Sequence, residues 1–469
     1  MSTRSPSSLP GVCTVCELRF KGVPTSSLYV QALTNEKSDL TLDSDQKSYC
    51  SLCYGIFLQS EGFFQSIAEK IEQECYQTSD FFLNIALPSS YDLRSSAFQT
   101  FALNELSLSA ATIIDVKTVL RYLISHFSMS KGSLRFNKQS PVVVSFEISH
   151  NESEKDTDFL KANSSFTPKS FYDRHQKKRV HIKESKEANK KAITLMTTED
   201  LKELGFYPPK SVETIPVLAS ITVSRTPIYI GGRYLKLVRG VSQTPHIVGN
   251  TRLAEFSVEE LIGEPIATLL QPKSYHLAGS GREDSDVRML GTGRPFYIQL
   301  NNCKNSPLSN LQLKSIENTI NSDSKLVNVA ALQSVTELDL KIIKSEGGEK
   351  NKTYSCLVWI SEELSKEKLD MFDTISASPL SIAQKTPVRV LHTRSPLTRQ
   401  RKIYRMRLSH LKDNFYTLIL TTEGGTYIKE FVHGDLGRTT PNFSSIIGAQ
   451  SYILELDVTD VDLNFPPKK

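Results

Sequence analysis

After residue 53 the apolar positions fall into a helical rhythm: Phe57, Phe63, Phe64, Ile67 and Ile71 recur at near-helical spacing, which predicts a helix over 54–76. Residues 81–87 and 141–148 instead show short, dense apolar runs rich in Phe, Ile and Val, the pattern of strands. Between them Val116, Leu120, Leu123 and Ile124 line one side of a helix over 113–127. These elements describe a small α/β module. From 150 the apolar anchors thin out, and residues 169–191 carry nine Lys/Arg against three Asp/Glu. That composition reads as a charged linker or insertion. From 216 the pattern resumes, with strand-like runs at 298–300, 354–360 and 416–421 and a helical stretch at 309–321. About 250 residues in one block is near the upper end for a single core. The expected organisation is therefore an α/β (α+β) chain with an accessory domain at 1–149, a charged basic linker or insertion at 150–215 and one large domain at 216–469.

Composition narrows the class. With 469 residues, 39% hydrophobic and 23% charged, wholesale disorder, collagen and coiled coil are excluded. No window approaches the roughly 18 unbroken apolar residues of a membrane span. The opening residues are rich in Ser and Pro rather than apolar, so no secretory leader is expected and the expected compartment is the nucleus, the cytoplasm or both. The Lys177–Arg179 cluster is compatible with nuclear entry. A formal net charge of +5 permits a nucleic-acid partner without arguing for one.

Four of the seven cysteines form two pairs, Cys13-Thr-Val-Cys16 and Cys50-Ser-Leu-Cys53. A CxxC turn points two thiolates at one ion, and two such turns complete a closed tetrahedral zinc shell. Two disulfides or one redox pair are the competing readings. A reducing compartment favours structural zinc over both, one ion per chain. Cys75, Cys303 and Cys356 are isolated and read as small hydrophobes. A zinc-dependent hydrolase is excluded, because four cysteines leave no open coordination position and no His/Glu cluster offers another.

Three stretches mix Gly, Arg, Asp, Glu and Tyr between strand-like runs. They are 279–296, with Arg282, Arg288 and Arg294 beside Glu283, Asp284 and Asp286; 352–360; and 423–438, where a Gly pair precedes what reads as the start of a helix bearing Lys429, Glu430 and His433. The first either holds an ion-pair network or poises a carboxylate beside an arginine. HExxH, GxGxxG, P-loop and GxSxG motifs are absent.

These strings carry a specific resemblance. GRED at 281–284 resembles the GRxD motif of pseudouridine synthases, and KTY at 352–354 and GTYIK at 425–429 resemble their second and third motifs. With GGRY at 231–234, QTP at 243–245, TPVRVLH at 386–392 and the run through GDLGRTTPN, the chain is similar to the archaeal and eukaryotic tRNA pseudouridine synthase 10 family over nearly its whole length. The resemblance implies an isomerase that converts uridine to pseudouridine in the T-arm of tRNA, at position 54, 55 or both, with no organic cofactor. It also implies a zinc-bearing, THUMP-related accessory domain, tRNA and possible other structured RNA as partners, no membrane, and action as a monomer.

The resemblance also implies roles. Asp284 is the expected nucleophile, Lys429 its basic partner, Tyr354 the ring that stacks on the extruded uracil, Arg282 the residue that helps hold the flipped nucleotide open, and Ile428 the floor. Residues 244–257, with Thr244, His246 and Arg252, resemble the family's forefinger loop. Residues 384–399, with Lys385, Arg389, His392, Arg394 and Arg399, resemble its thumb, a phosphate-contacting strip. The chain departs from the family at His246, where Trp is usual, at Ser285, and at Asn301-Asn302. Spacing alone does not choose between Asp284 and Asp286; only the register of the resemblance selects Asp284. A catalytically silent RNA-binding factor on the same fold is the alternative reading.

Overall fold

The protein is described from a computed structural model covering residues 9–42, 48–106, 113–131, 134–159, 171–173, 178–180, 186–249, 251–346 and 350–468. Its contacts divide the chain into two compact units that meet between Thr226 and Pro227. None of the described helices is long and apolar enough to cross a membrane.

The first unit is built on a four-stranded sheet of β1 (Asp80–Ala86), β2 (Arg135–Phe136), β3 (Val142–Ser149) and a late strand, Val217–Arg225. Two further short strands, β4 (Phe171–Asp173) and β5 (Lys178–Val180), pair only with each other, so Val217–Arg225 is β6. The sheet order is β2-β1-β3-β6, with β1 parallel to both neighbours and β6 antiparallel to β3. The helix expected over 54–76 is present as Ser60–Gln73 after a short 3-10 turn, and it buries Phe63, Phe64, Ile67 and Ile71. The second expected helix spans Val116–Lys131 and buries Val116, Leu120, Leu123 and Ile124.

Two differences from the sequence reading concern its middle. The boundary expected at 216 leaves 217–225 with the wrong partner: these residues pair with β3 along their whole length and belong to the first unit. The segment expected to be a linker is also partly folded. Helices Lys186–Thr194 and Thr198–Glu203 pack Ala192, Ile193 and Leu201, with Phe206, against Leu93 and Ala97 of the helix Ser90–Glu105. The apolar residues there are few, but each finds a buried partner that sequence periodicity does not reveal. Lys177 lies outside the described residues.

The second unit is a ten-stranded mixed sheet. Its strands are β7 (Ile228–Lys236), β10 (Ser274–Gly279), β11 (Arg288–Asn301), β12 (Val327–Ser334), β13 (Lys352–Ile360), β14 (Leu380–Lys385), β15 (Thr398–Lys412), β16 (Phe415–Thr422), β17 (Thr439–Thr440) and β18 (Ser451–Val461). A small exposed hairpin, β8 (Ile247–Val248) with β9 (Thr251–Arg252), stands apart. The path runs β12-β7-β11-β18-β13-β16-β15-β14-β17, with β10 also on β11.

The two halves of this sheet join where β11 and β18 run parallel for two residues, Arg288↔Asp457 and Met289↔Val458. Immediately afterwards the β11–β7 register breaks between Met289 and Arg294. The Gly-Thr-Gly of the sequence makes that break: Gly291 and Gly293 have φ of +60° and +74°, and a Cβ on Gly291 would collide with the Thr459 carbonyl. A bulge here bends β11 across to its next partners and leaves a crevice at the junction.

Candidate active site

Four elements bring chemistry to that crevice: the loop before β11, the start of β13, the helix Ile428–His433 after β16, and the segment after β14. The cleft has a volume of about 420 Å³, and its lining includes Asp284, Lys352, Tyr354, Ile428, Lys429 and Leu456.

The loop 280–287 is held from beneath by buried charge. Glu283 turns inward, where it accepts from the Tyr234 hydroxyl at 2.9 Å and from Arg294 Nε at 2.7 Å. Arg294 Nη1 donates to the Ser280 carbonyl at 2.8 Å. Lys236, with no exposed surface, donates to the carbonyls of Val241 (2.8 Å) and Asp284 (2.9 Å). Gln243 Nε2 donates to the Tyr234 hydroxyl at 2.9 Å and the Gly281 carbonyl at 3.0 Å. Every polar atom named here has a partner, which is what makes buried charge tolerable and the loop rigid. With Glu283 anchored inward, the next residue faces the cleft.

That residue is Asp284. Its Oδ2 accepts from Arg389 Nη1 at 3.1 Å and Lys429 Nζ at 3.4 Å. Lys429 is shared, reaching Asp286 Oδ2 at 2.7 Å. Burial pushes the Asp286 carboxyl up, but the Lys429 hydrogen bond and charge outweigh it and hold the group below its ordinary range. Asp286 is the more exposed of the two, 63% against 46%, and only Asp284 lines the cleft. Asp286 is the closer to Lys429, whereas Asp284 meets two cations and opens on the cavity.

Tyr354 stands on β13, where strict alternation turns Lys352, Tyr354, Cys356, Val358 and Ile360 inward. Its hydroxyl is pushed up to about 12 by burial, against the opposing charge of Arg294. It is therefore neutral near pH 7 and offers a ring face rather than a charge. Ile428, 4% exposed, opens the helix whose second residue is Lys429. The polar body of that helix is fixed by the neighbouring strand: the Gln384 amide both accepts from Tyr427 N and donates to Tyr427 O, each at 3.0 Å.

The expected RNA-contacting residues divide into two sets. Lys385, His392 and Arg394 are exposed and Arg399 half-buried on the thumb, and His246 is exposed with Thr244 half-buried at the forefinger. Arg389, expected in the same strip, instead turns into the site, bridging Asp284 and Glu430 Oε1 (2.7 Å). Arg252 is occupied by both oxygens of Glu260, in the first turn of the helix Val258–Leu270. Arg282 is exposed on the cleft lining.

Sequence reading missed Lys352, a buried residue in the cleft lining, and the Tyr234/Gln243/Lys236 support. Tyr234 and Gln243 did lie inside motif strings, but a string does not say that they meet Gly281 and Glu283. Also missed was a charge pattern readable by counting. Between Asp373 and Asp413 there is no acid and there are nine Lys/Arg, so thumb and β15 together form a strip of one sign.

In the first unit the Sγ atoms of Cys13, Cys16, Cys50 and Cys53 all lie within 4.8 Å of one another, which makes the group able to hold a metal ion. Cys13 and Cys53 are 3.7 Å apart, close to the edge of a tetrahedron of thiolates and far beyond a disulfide bond. Buried Arg19 donates to Cys16 Sγ at 3.2 Å, and the Cys16 amide donates to Cys13 Sγ at 3.4 Å. Positive charge and N–H groups aimed at sulfur suit an anionic all-thiolate shell.

Two family profiles match the chain: "Pus10, C-terminal" over residues 229–462 and "Eukaryotic Pus10, N-terminal" over 50–223. The tRNA pseudouridine synthase Pus10 of Xenopus laevis is 35% identical over 425 residues, covering 89% of this chain and 81% of that protein. The human protein of the same name is 32% identical, with 89% and 79% covered. That of Methanocaldococcus jannaschii is 37% identical over 270 residues, 55% of this chain and 58% of its own. A crystal structure of a Cbf5-Nop10-Gar1 complex aligns with 49% of this chain and 48% of its own at 13% identity and a TM-score of 0.27, a likeness from which nothing follows for this site. A carboxylate between two cations in a crevice of a mixed α/β sheet fits an enzyme, and the chain belongs to the Pus10 family of tRNA pseudouridine synthases, which are isomerases.

Proposed function

We propose that this chain isomerises uridine to pseudouridine in the T-arm of tRNA, at position 54, 55 or both, with Asp284 as nucleophile. The observation that carries the reading is Asp284 facing the cleft, held between Arg389 and Lys429 beside the buried ring of Tyr354. Two cations flank the carboxylate whose oxygen makes the attack. Asp284 bonds to C1′ of the extruded nucleotide while the N1–C1′ bond breaks and the uracil leaves as an anion. The freed ring turns against Tyr354 and Ile428, and C5 then bonds to C1′, returning the carboxylate. The C5 proton is lost and N1 gains one, so the net change is an isomerisation that consumes no co-reactant. Extruding the nucleotide costs a few kcal/mol, which the basic thumb offsets through phosphate contacts by Lys385, His392, Arg394 and Arg399. Arg282, on the cleft lining, holds the vacated position open.

The four cysteines would hold one zinc ion as a closed structural site, with Arg19 balancing part of its negative charge. When bound, the metal supplies folding free energy to the first unit and no chemistry to the cleft.

Unmodified tRNA transcript treated with wild-type protein and with Asp284→Asn, mapped nucleotide by nucleotide, tests the reading. Product at a T-arm uridine that vanishes in the variant, with RNA affinity nearly unchanged, is the expected result. Product elsewhere overturns the target, and turnover by Asp284→Asn overturns the nucleophile.

A further inference from the structure

The helix that begins with Ile428 and Lys429 ends at Gly434, and the four residues that follow form an unusual turn. Asp435 and Leu436 both lie in the left-handed region, with φ of +47° and +55°, between two glycines at +82° and +80°. Two successive side-chain-bearing residues in that region are strained, and leucine gains nothing there that asparagine or glycine would not. Leu436 is also 95% exposed, more than any other large hydrophobic side chain among the described residues.

The turn is nevertheless pinned. The Asp435 amide donates to His433 Nδ1 at 3.0 Å, the Arg438 amide to the Asp435 carbonyl at 3.0 Å, and the Arg438 guanidinium to the Thr386 carbonyl at 2.7 Å. The Val388 amide reaches the Asp435 carboxylate at 3.4 Å. A bare leucine is thus held rigidly at the base of the thumb, on the segment that delivers Lys429 to the cleft. The turn is bonded to Thr386 and Val388, which belong to a stretch carrying nine Lys/Arg and no acid between residues 373 and 413, and that charge selects a polyanion as partner. An RNA strand presents both the phosphates such a strip binds and the apolar base faces that a leucine can enter.

We propose that Leu436 is a wedge that enters the base stack of the bound RNA beside the target uridine and helps keep that nucleotide extruded. The idea rests on the pseudouridine reading above, and makes Leu436 a positioning residue that touches RNA without entering the chemistry. Strain and exposure are then the cost of holding an apolar tip ready before the RNA arrives.

The test uses the full-length protein with a tRNA transcript carrying 2-aminopurine next to the target uridine, and compares wild type with Leu436→Asn and Leu436→Met. Asparagine accepts the left-handed region, so Leu436→Asn is expected to melt no lower than wild type. It should lose about tenfold in single-turnover kcat/KM and most of the fluorescence rise that reports unstacking. Leu436→Met should restore both, because methionine is apolar and of similar size. If wild type forms product and Leu436→Asn matches it in rate and fluorescence, the wedge is refuted and the enzymatic reading stands. If wild type forms no pseudouridine in the RNA it binds, the enzymatic reading falls and the wedge with it.

Discussion

Lys352 offers a stability measurement whose sign and size follow from its surroundings. The residue is 6% exposed, and its ammonium donates to the Lys350 carbonyl at 3.1 Å and lies near Arg294. Burial first, and then the Arg294 charge, pull its pKa from 10.5 down to about 8. A drop of about 2.5 pH units corresponds to roughly 3 kcal/mol by which the charged lysine opposes folding. Below pH 8 both folded and unfolded chains carry the proton and the full penalty is present. Between 8 and 10.5 the folded chain has released the proton and the unfolded chain retains it, so unfolding takes up a proton and stability rises with pH. Above 10.5 both are neutral and the penalty is gone. Lys352→Met keeps the length and removes the charge, so at pH 7 the second unit should gain roughly 1–3 kcal/mol, less than the full figure because the Lys350 bond is lost. Trp359, the chain's single tryptophan, lies on β13 with Lys352, so its fluorescence during urea unfolding reports this unit specifically. The advantage of the variant should shrink as pH rises from 8 toward 10.5. A variant less stable than wild type at pH 7, or a difference that does not change with pH, would refute the reasoning.

Three other outcomes follow from the same geometry. Arg294→Met leaves the Glu283 carboxylate buried with the Tyr234 hydroxyl and Lys236 at 3.9 Å, and should cost the second unit about 3–5 kcal/mol in the same Trp359 measurement. Asp286→Asn removes the closer partner of Lys429 but not the group facing the cleft, so pseudouridine formation should slow and persist; a dead Asp286→Asn beside an active Asp284→Asn would exchange their roles. Purified protein should contain about one zinc per chain, and a strong chelator should lower the melting temperature of the first unit, whereas folded metal-free protein with an unchanged melt would count against the zinc assignment.

How far the sequence could be read differs by kind of feature. Strands β1, β3, β13 and β16 and the helices Ser60–Gln73 and Val116–Lys131 were legible because their burial is periodic and local. Helix Ser90–Glu105 was not, since its buried Leu93 and Ala97 are interleaved with polar residues and gain their meaning from the segment around 186–206. β6 was legible as a strand-like run but not as a partner of β3, because pairing across more than 65 residues leaves no local trace. In the site, Asp284, Tyr354 and Lys429 could be named from motif strings and were brought to one cleft. Arg389 was named as an RNA contact, and a basic residue in a basic loop gives no sign that its guanidinium also bridges Asp284 and Glu430.

The amino-acid sequence by itself determined the cysteine pairs, the alternation of β13, the Gly-Thr-Gly break and the family, since each depends on residues a few positions apart. Only the tertiary structure decided which acid faces the cleft, that Glu283 and Lys236 hold the loop from beneath, and that Lys352 lines the cleft beside Arg294 with no carboxylate partner among the described residues. Those outcomes depend on the parallel contact of β11 with β18 and on charges that meet across 40 to 170 residues of chain. Local pattern can say that a residue is polar; the energy of a buried charge is set by what the rest of the fold places beside it.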